Sequence, residues 1–297
     1  MGRHLVKIRL PLLAAVVLAI GGAAGGAAAA SASTSSPAVA LPPGVTAHGL
    51  TYAPNITLPR NTPPDLSGKP KATEYSDNWA GYAASANAGI QLTTVGGDFN
   101  IPSVNCAKSP VGSSGYAYAA HWVGLDGLTD GTVEQTGVDA YCTSSGTPGY
   151  FAWYEMYPLN PVAFSGVSPG DAITTTVTYN PTAKTYHMNL TDVTTGGSVT
   201  STQSCPSGST CENTSAEMIS EDPGGAVPGG YNLADFGMEN YTATRVTDSK
   251  GLSSALNASA DWTSTELIMQ EPSNDILATP GGLYDGRAFN VAWNAAS

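Results

Sequence analysis

The chain has 297 residues, with 11 Lys+Arg against 23 Asp+Glu and a net charge of −12. An acidic balance of this size excludes nucleic acid and anionic membrane surfaces as natural partners, because both select basic surfaces. The length allows one or two domains.

The first segment, MGRHLVKIRLPLLAAVVLAIGGAAGGAAAASAS, joins a basic start (Arg3, Lys7, Arg9) to an apolar run from Leu10 and a small-residue end. It reads as a secretory signal peptide over residues 1–33, with an apolar run too short for a membrane anchor. No later stretch of sequence is long and apolar enough to span a bilayer. Residues 34–72 are Pro-rich without a sustained period and read as a propeptide or linker. They hold Arg60, Lys69 and Lys71 but only one acid, Asp65. From Thr73 onward, five basic residues therefore face 22 acidic ones, a net of −17. Acid unfolds proteins by protonating paired carboxylates and by repulsion among cations, and here both have little to act on. The charge fits work in acid, but a merely acidic secreted protein or one adapted to salt would look the same.

Residues 73–297 are a series of short strand-like runs: TTVGGDFNI, SGYAYAAHWVGLD, YFAWYEMYP, AITTTVTYN, TYHMNLTDV, SAEMISED, YTATRVT, STELIMQ and RAFNVAW. Gly, Pro, Asn and Ser separate them, which predicts one all-β domain, a sandwich or barrel. GLSSALNASADW comes nearest to helical spacing. Four cysteines fit export. Cys205 and Cys211 flank a short loop and could close on each other, leaving Cys106 for Cys142, but four cysteines allow three connectivities. The four histidines are scattered, so no metal site and no cofactor is expected. Sequons occur at Asn55, Asn189, Asn213, Asn240 and Asn257.

Few residues offer nucleophilic chemistry. GVSPG around Ser168 matches a nucleophile-elbow pattern but lacks the strand-then-helix context, and reads as a surface turn. His121 and His187 lie in no recognisable serine arrangement, and a cysteine nucleophile is excluded if all four pair. Carboxylates remain. In TVEQTGVD, alternation places Val133, Gln135, Gly137 and Asp139 on one face and Glu134 on the other. In FAWYEMYP it groups Phe151, Trp153, Glu155 and Tyr157, an acid among aromatics that suits a cleft for an extended ligand or, equally, a core face. In SAEMISED it groups Glu217, Ile219 and Glu221, in a working site or on a solvated edge strand.

Five motifs in order, YSDNWAGYA, HWVGLDG, VEQTGVD, FAWYEMYP and SAEMISEDP, resemble those of the glutamic peptidases, or eqolisins. The resemblance runs from about Tyr75 to FNVAW. It implies a single-domain sandwich of two antiparallel sheets, of the concanavalin-like or jelly-roll type. It implies a secreted, pepstatin-insensitive acid endopeptidase made with a propeptide and acting on polypeptides. By motif, Gln135 and Glu221 would form the catalytic dyad. Glu221 would act as base and then acid on a water, and Gln135 would stabilise the oxyanion. Trp79, Trp122, Trp153, Glu155 and Tyr157 would line an open cleft. Gly81 and Gly137 would let a substrate backbone approach, and Asp126 and Asp139 would brace the active strands. Two positions depart from the family pattern: Phe151, where Asp is common, and Ser220, where an aliphatic residue is usual. The competing readings are a glycan-binding or glycan-cleaving sandwich, which would pair Glu155 with Glu217 or Glu221, and a non-catalytic binding module. A monomer is the default.

Overall fold

The computed structural model describes residues 38–40, 72–224, 231–257 and 259–296. The expected signal peptide and most of the expected propeptide lie outside the described residues. Eighteen strands occur among the described residues. In chain order they begin with β1 (Ala38–Val39), β2 (Ala72–Ser76), β3 (Trp79–Ala86), β4 (Leu92–Asn100), β5 (Tyr116–Leu125), β6 (Val133–Thr143), β7 (Pro148–Tyr157), β8 (Val162–Phe164) and β9 (Ala172–Asn180). They continue with β10 (Thr185–Asp192), β11 (Ser198–Ser204), β12 (Ser215–Glu221), β13 (Asn232–Leu233), β14 (Met238–Asp248), β15 (Ser253–Ser254), β16 (Trp262–Gln270), β17 (Ile276–Pro280) and β18 (Phe289–Trp293).

These form two sheets. The first runs β11-β10-β9-β4-β14-β15. The second runs β1-β8-β7-β6-β5-β12-β3-β16-β17-β18-β14. Strand β14 serves both: Met238–Tyr241 pairs with β18, and from Thr242, opposite Asp98, the strand pairs with β4, with an irregularity between Thr242 and Arg245. Pairing is antiparallel except for β2 on β16 and β13 on β5.

The sequence builds the two sheets differently. In β9 and β10 the buried residues alternate, with Ile173, Thr175 and Val177 and then Tyr186, Met188 and Leu190 turned inward, as a half-buried strand requires. Strands β5, β6 and β12 are buried on both faces. One face meets the first sheet: Val123, Leu125, Val138, Met156 and Met218 pack in a cluster with Val95, Ile173, Val177 and Met188. Truncating such a residue to Ala costs roughly 2–5 kcal/mol. The other face carries a separate cluster of Trp79, Trp122, Trp153, Tyr118, Phe151 and Ile219, with Leu128 and Tyr231.

Cys106 bonds Cys142 and Cys205 bonds Cys211, and no described cysteine is free. The first pair ties the segment before β5 to β6 across 36 residues, a closure worth about 4 kcal/mol in the chain-entropy account. The near-helical stretch GLSSALNASADW forms the short strand β15, turns and the start of β16 instead. Its apolar residues follow the sheets: Leu256 and Trp262 are both in the inter-sheet cluster. GVSPG is a turn, with Asp171 accepting the Ser168 N–H.

Candidate active site

The second face of the second sheet collects the chemistry. Cross-strand register sets out its rows. Glu155, Gln135, Gly124 and Glu217 face one another across β7, β6, β5 and β12. Two residues along lie Trp153, Gly137, Trp122 and Ile219. Two further lie Phe151, Asp139, Ala120 and Glu221, with Trp79 of β3 beside Glu221. Gln135 and Glu221 thus share a face and sit four residues apart along the intervening β5, with Trp122 between them.

Glu221 is fully buried and held by aimed donors: the Trp122 indole N–H at 2.7 Å on Oε2 and the Asn78 amide at 3.0 Å on Oε1. Burial pushes its pKa well above the usual carboxylate range. The Trp122 N–H opposes this, and so does the nearby Trp79 indole, though without hydrogen-bond geometry; the negative fields of Glu155 and Asp139 add to the rise. Gln135 donates from Nε2 to Glu155 Oε2 at 2.6 Å. Glu155 is also pushed well up by burial, with the Gln135 bond opposing. Asp139 accepts the Trp153 indole N–H at 2.8 Å. Asp126, at a positive φ after β5, accepts the backbone N–H groups of Asn213 and Thr214 at 2.8 and 2.7 Å, anchoring the approach to β12. Burial, and then the charge of Asp130, push its pKa up to about 7. Tyr157 is partly buried and packs against the aromatic cluster.

One expectation needs correction, and one of two alternatives is excluded. The tryptophans do not line an open cleft: Trp79, Trp122 and Trp153 are all 0% exposed. Trp79 and Trp122 pack edge-to-face at 4.8 Å, and Leu128 and Tyr231 close on the same cluster. The glycines at 81 and 137 have a part in the fold as well, making room for the chain itself. Gly81, at φ 149°, sits where a Cβ would overlap the Met218 carbonyl, and at Gly137 one would overlap the His121 carbonyl and Trp122 Cβ. Nor is β12 a solvated edge, since it lies between β3 and β5 and is buried throughout. Glu217 is buried with both oxygens outside hydrogen-bond geometry.

The opposite face of the same strands holds a cluster the sequence did not reveal. His121 Nδ1 lies 3.0 Å from Ser220 Oγ and 3.8 Å from Glu239 Oε2. All three are fully or almost fully buried, and burial lowers the His121 pKa to about 3. Asn78 was also missed as a site residue. It lies inside YSDNWAGYA, but its partner Glu221 is 143 residues away and no local spacing marks it.

A family model described as the peptidase A4 family matches residues 77–280, and the chain belongs to that family. It is 38% identical to aspergillopepsin-2 of Aspergillus niger over 195 residues, 59% of this chain and 65% of that relative. It is 36% identical to scytalidopepsin B of Scytalidium lignicola over 156 residues, 51% of this chain and 54% of that relative. Each match thus spans less than two thirds of the relative's length. The fold is similar to that of scytalido-glutamic peptidase solved with a transition-state analog inhibitor. The TM-score is 0.58 at 28% identity, covering 73% of this chain and 98% of the other.

Proposed function

We propose that the protein is a secreted acid endopeptidase that hydrolyses polypeptides with Glu221 and Gln135, made as a precursor with residues 1–33 as signal and 34–72 as propeptide. Ionised Glu221 takes a proton from water, which attacks the scissile carbonyl, and then returns it to the leaving amine. The Gln135 amide carries two N–H donors. Its bond to Glu155 fixes the plane of the amide, and in the reaction the amide donates to the oxygen that gains charge. An amide does not titrate, so this donor persists throughout the acid range.

The observation that carries the reading is the pair of neutral donors on Glu221, Trp122 and Asn78, each on its own oxygen. They favour the ionised base without adding a cation. The pairing demanded by a glycosidase is not favoured, because Glu155 binds the Gln135 amide. The test is proteolysis of denatured casein from about pH 2 to 7, with and without pepstatin, by wild type, Gln135→Ala and Glu221→Ala. Pepstatin-resistant cleavage lost in both variants is expected; cleavage that survives both would sink the assignment.

A further inference from the structure

Asn78 stands in the two-residue link between β2 and β3 and is 2% exposed. Its Nδ2 donates to Glu221 Oε1, and the other end of its amide is fixed as well. The Ser76 hydroxyl donates to Asn78 Oδ1 at 3.1 Å. The same Ser76 oxygen accepts the backbone N–H groups of Asn78 and Trp79 at 3.3 and 3.0 Å, which holds the hydroxyl in place. A flipped amide would set Oδ1 against Glu221 Oε1, two acceptors face to face. The Asn78 carbonyl in turn accepts the N–H of Asp222 at 2.9 Å, so its backbone is tied to the residue after Glu221.

Every link in this chain is neutral. Trp122 takes the second carboxylate oxygen, and neither an amide nor an indole changes charge in acid. A buried carboxylate without donors would be costly to ionise. From this geometry we infer that Asn78 is a positioning residue for the proposed peptidase reaction: it orients the Glu221 carboxylate and gives its ionised form a fixed donor, with Ser76 setting the amide. The inference rests on Glu221 being the base, and the two ideas fail separately.

The experiment compares protein secreted from the full-length chain as wild type, Asn78→Leu, Asn78→Asp and Glu221→Gln, measuring kcat and KM on a fluorogenic peptide across the acid range. Asn78→Leu keeps the volume and loses the donor. Its acid limb is expected to move up by about one pH unit, with kcat down roughly tenfold at the acid end, converging on wild type at higher pH, and KM nearly unchanged. Asn78→Asp should recover activity at low pH, where a protonated carboxyl can donate as the amide does. It should lose activity as that carboxyl ionises, which adds a descending limb that wild type lacks. If Asn78→Leu does not fold, that descending limb decides alone. A wild-type limb in Asn78→Leu, or a loss uniform in pH that Asn78→Asp does not recover, overturns the inference. A Glu221→Gln protein that still cleaves overturns the reading of the base. If Glu221→Gln is inactive while Asn78→Leu keeps a wild-type profile, only the role of Asn78 falls.

Discussion

Glu217 and Glu221 lie on one face of β12, four residues apart, and both are fully buried. Burial pushes both pKa values well up. Their surroundings differ. Glu221 has a side-chain donor on each oxygen, from Trp122 and Asn78. Glu217 has none in bonding geometry; the nearby Ser215 hydroxyl lowers its pKa, and the negative fields of Asp126, Asp130 and Glu134 raise it. Burial and a raised pKa therefore mark a buried acid without marking a catalytic one. Neighbouring acids act on both, Glu155 and Asp139 on Glu221; what differs is the pair of neutral donors in bonding geometry, which favours the ionised form of a buried carboxylate.

The comparison breaks most decisively at Glu221. Glu221→Gln should reduce kcat roughly 10²–10⁴-fold with the fold kept, the range for loss of a general base. Single-turnover assays and circular dichroism would separate the two. Gln135→Ala should cost roughly 10²–10³-fold, as loss of an oxyanion donor does. Trp122→Phe keeps an aromatic side chain but removes the indole N–H with its five-membered ring, so it should raise the acid limb of the pH profile by about one unit and lower kcat about tenfold at the acid end. Glu217→Gln should leave kcat/KM within about twofold.

A further expectation concerns stability against pH. Glu134, Glu155, Glu217, Glu221 and Glu239 all have folded pKa values raised well above 4.5, chiefly by burial, and Asp126 is raised to about 7. For a raised acid, the folded state binds protons that the unfolded state has released, so stability is complete below about pH 4.5 and falls as pH rises through the folded values. His121, lowered to about 3, acts in the opposite sense between about pH 3 and 6.5, and so does the partly exposed Asp261, lowered by Lys250, in the acid range, against the larger set of buried raised acids. Thermal melts should show highest stability in acid and progressive loss toward neutrality, with Glu217→Gln losing less than wild type. A melting temperature that rises steadily from about pH 4 to 7 would contradict this sign.

Much of the fold was legible in the sequence because a strand repeats every two residues. Each of the nine quoted runs lies on a strand, and AITTTVTYN matches β9 residue for residue. The face of Gln135 was legible for the same reason. Register was not: β5 and β12 pair Trp122 with Ile219 and Ala120 with Glu221 across about a hundred residues, and no local pattern encodes that. Burial of the site was not legible either. Alternation normally promises one wet face, but the tryptophans of this face pack on one another, with only the partly buried Tyr116, Tyr141 and Tyr157 at its rim. The Asn78–Glu221 and His121–Ser220 contacts were hidden because each joins polar residues distant in sequence, brought together by the pairing of β12 with its neighbours.

The two-residue strand β1 pairs with the rim strand β8, Val39 opposite Ala163, and Ala163 lies opposite Trp153. While the chain is whole, that pairing is intramolecular, so it forms without the entropy cost of bringing two molecules together. A single cut anywhere between Ala40 and Ala72 makes it bimolecular.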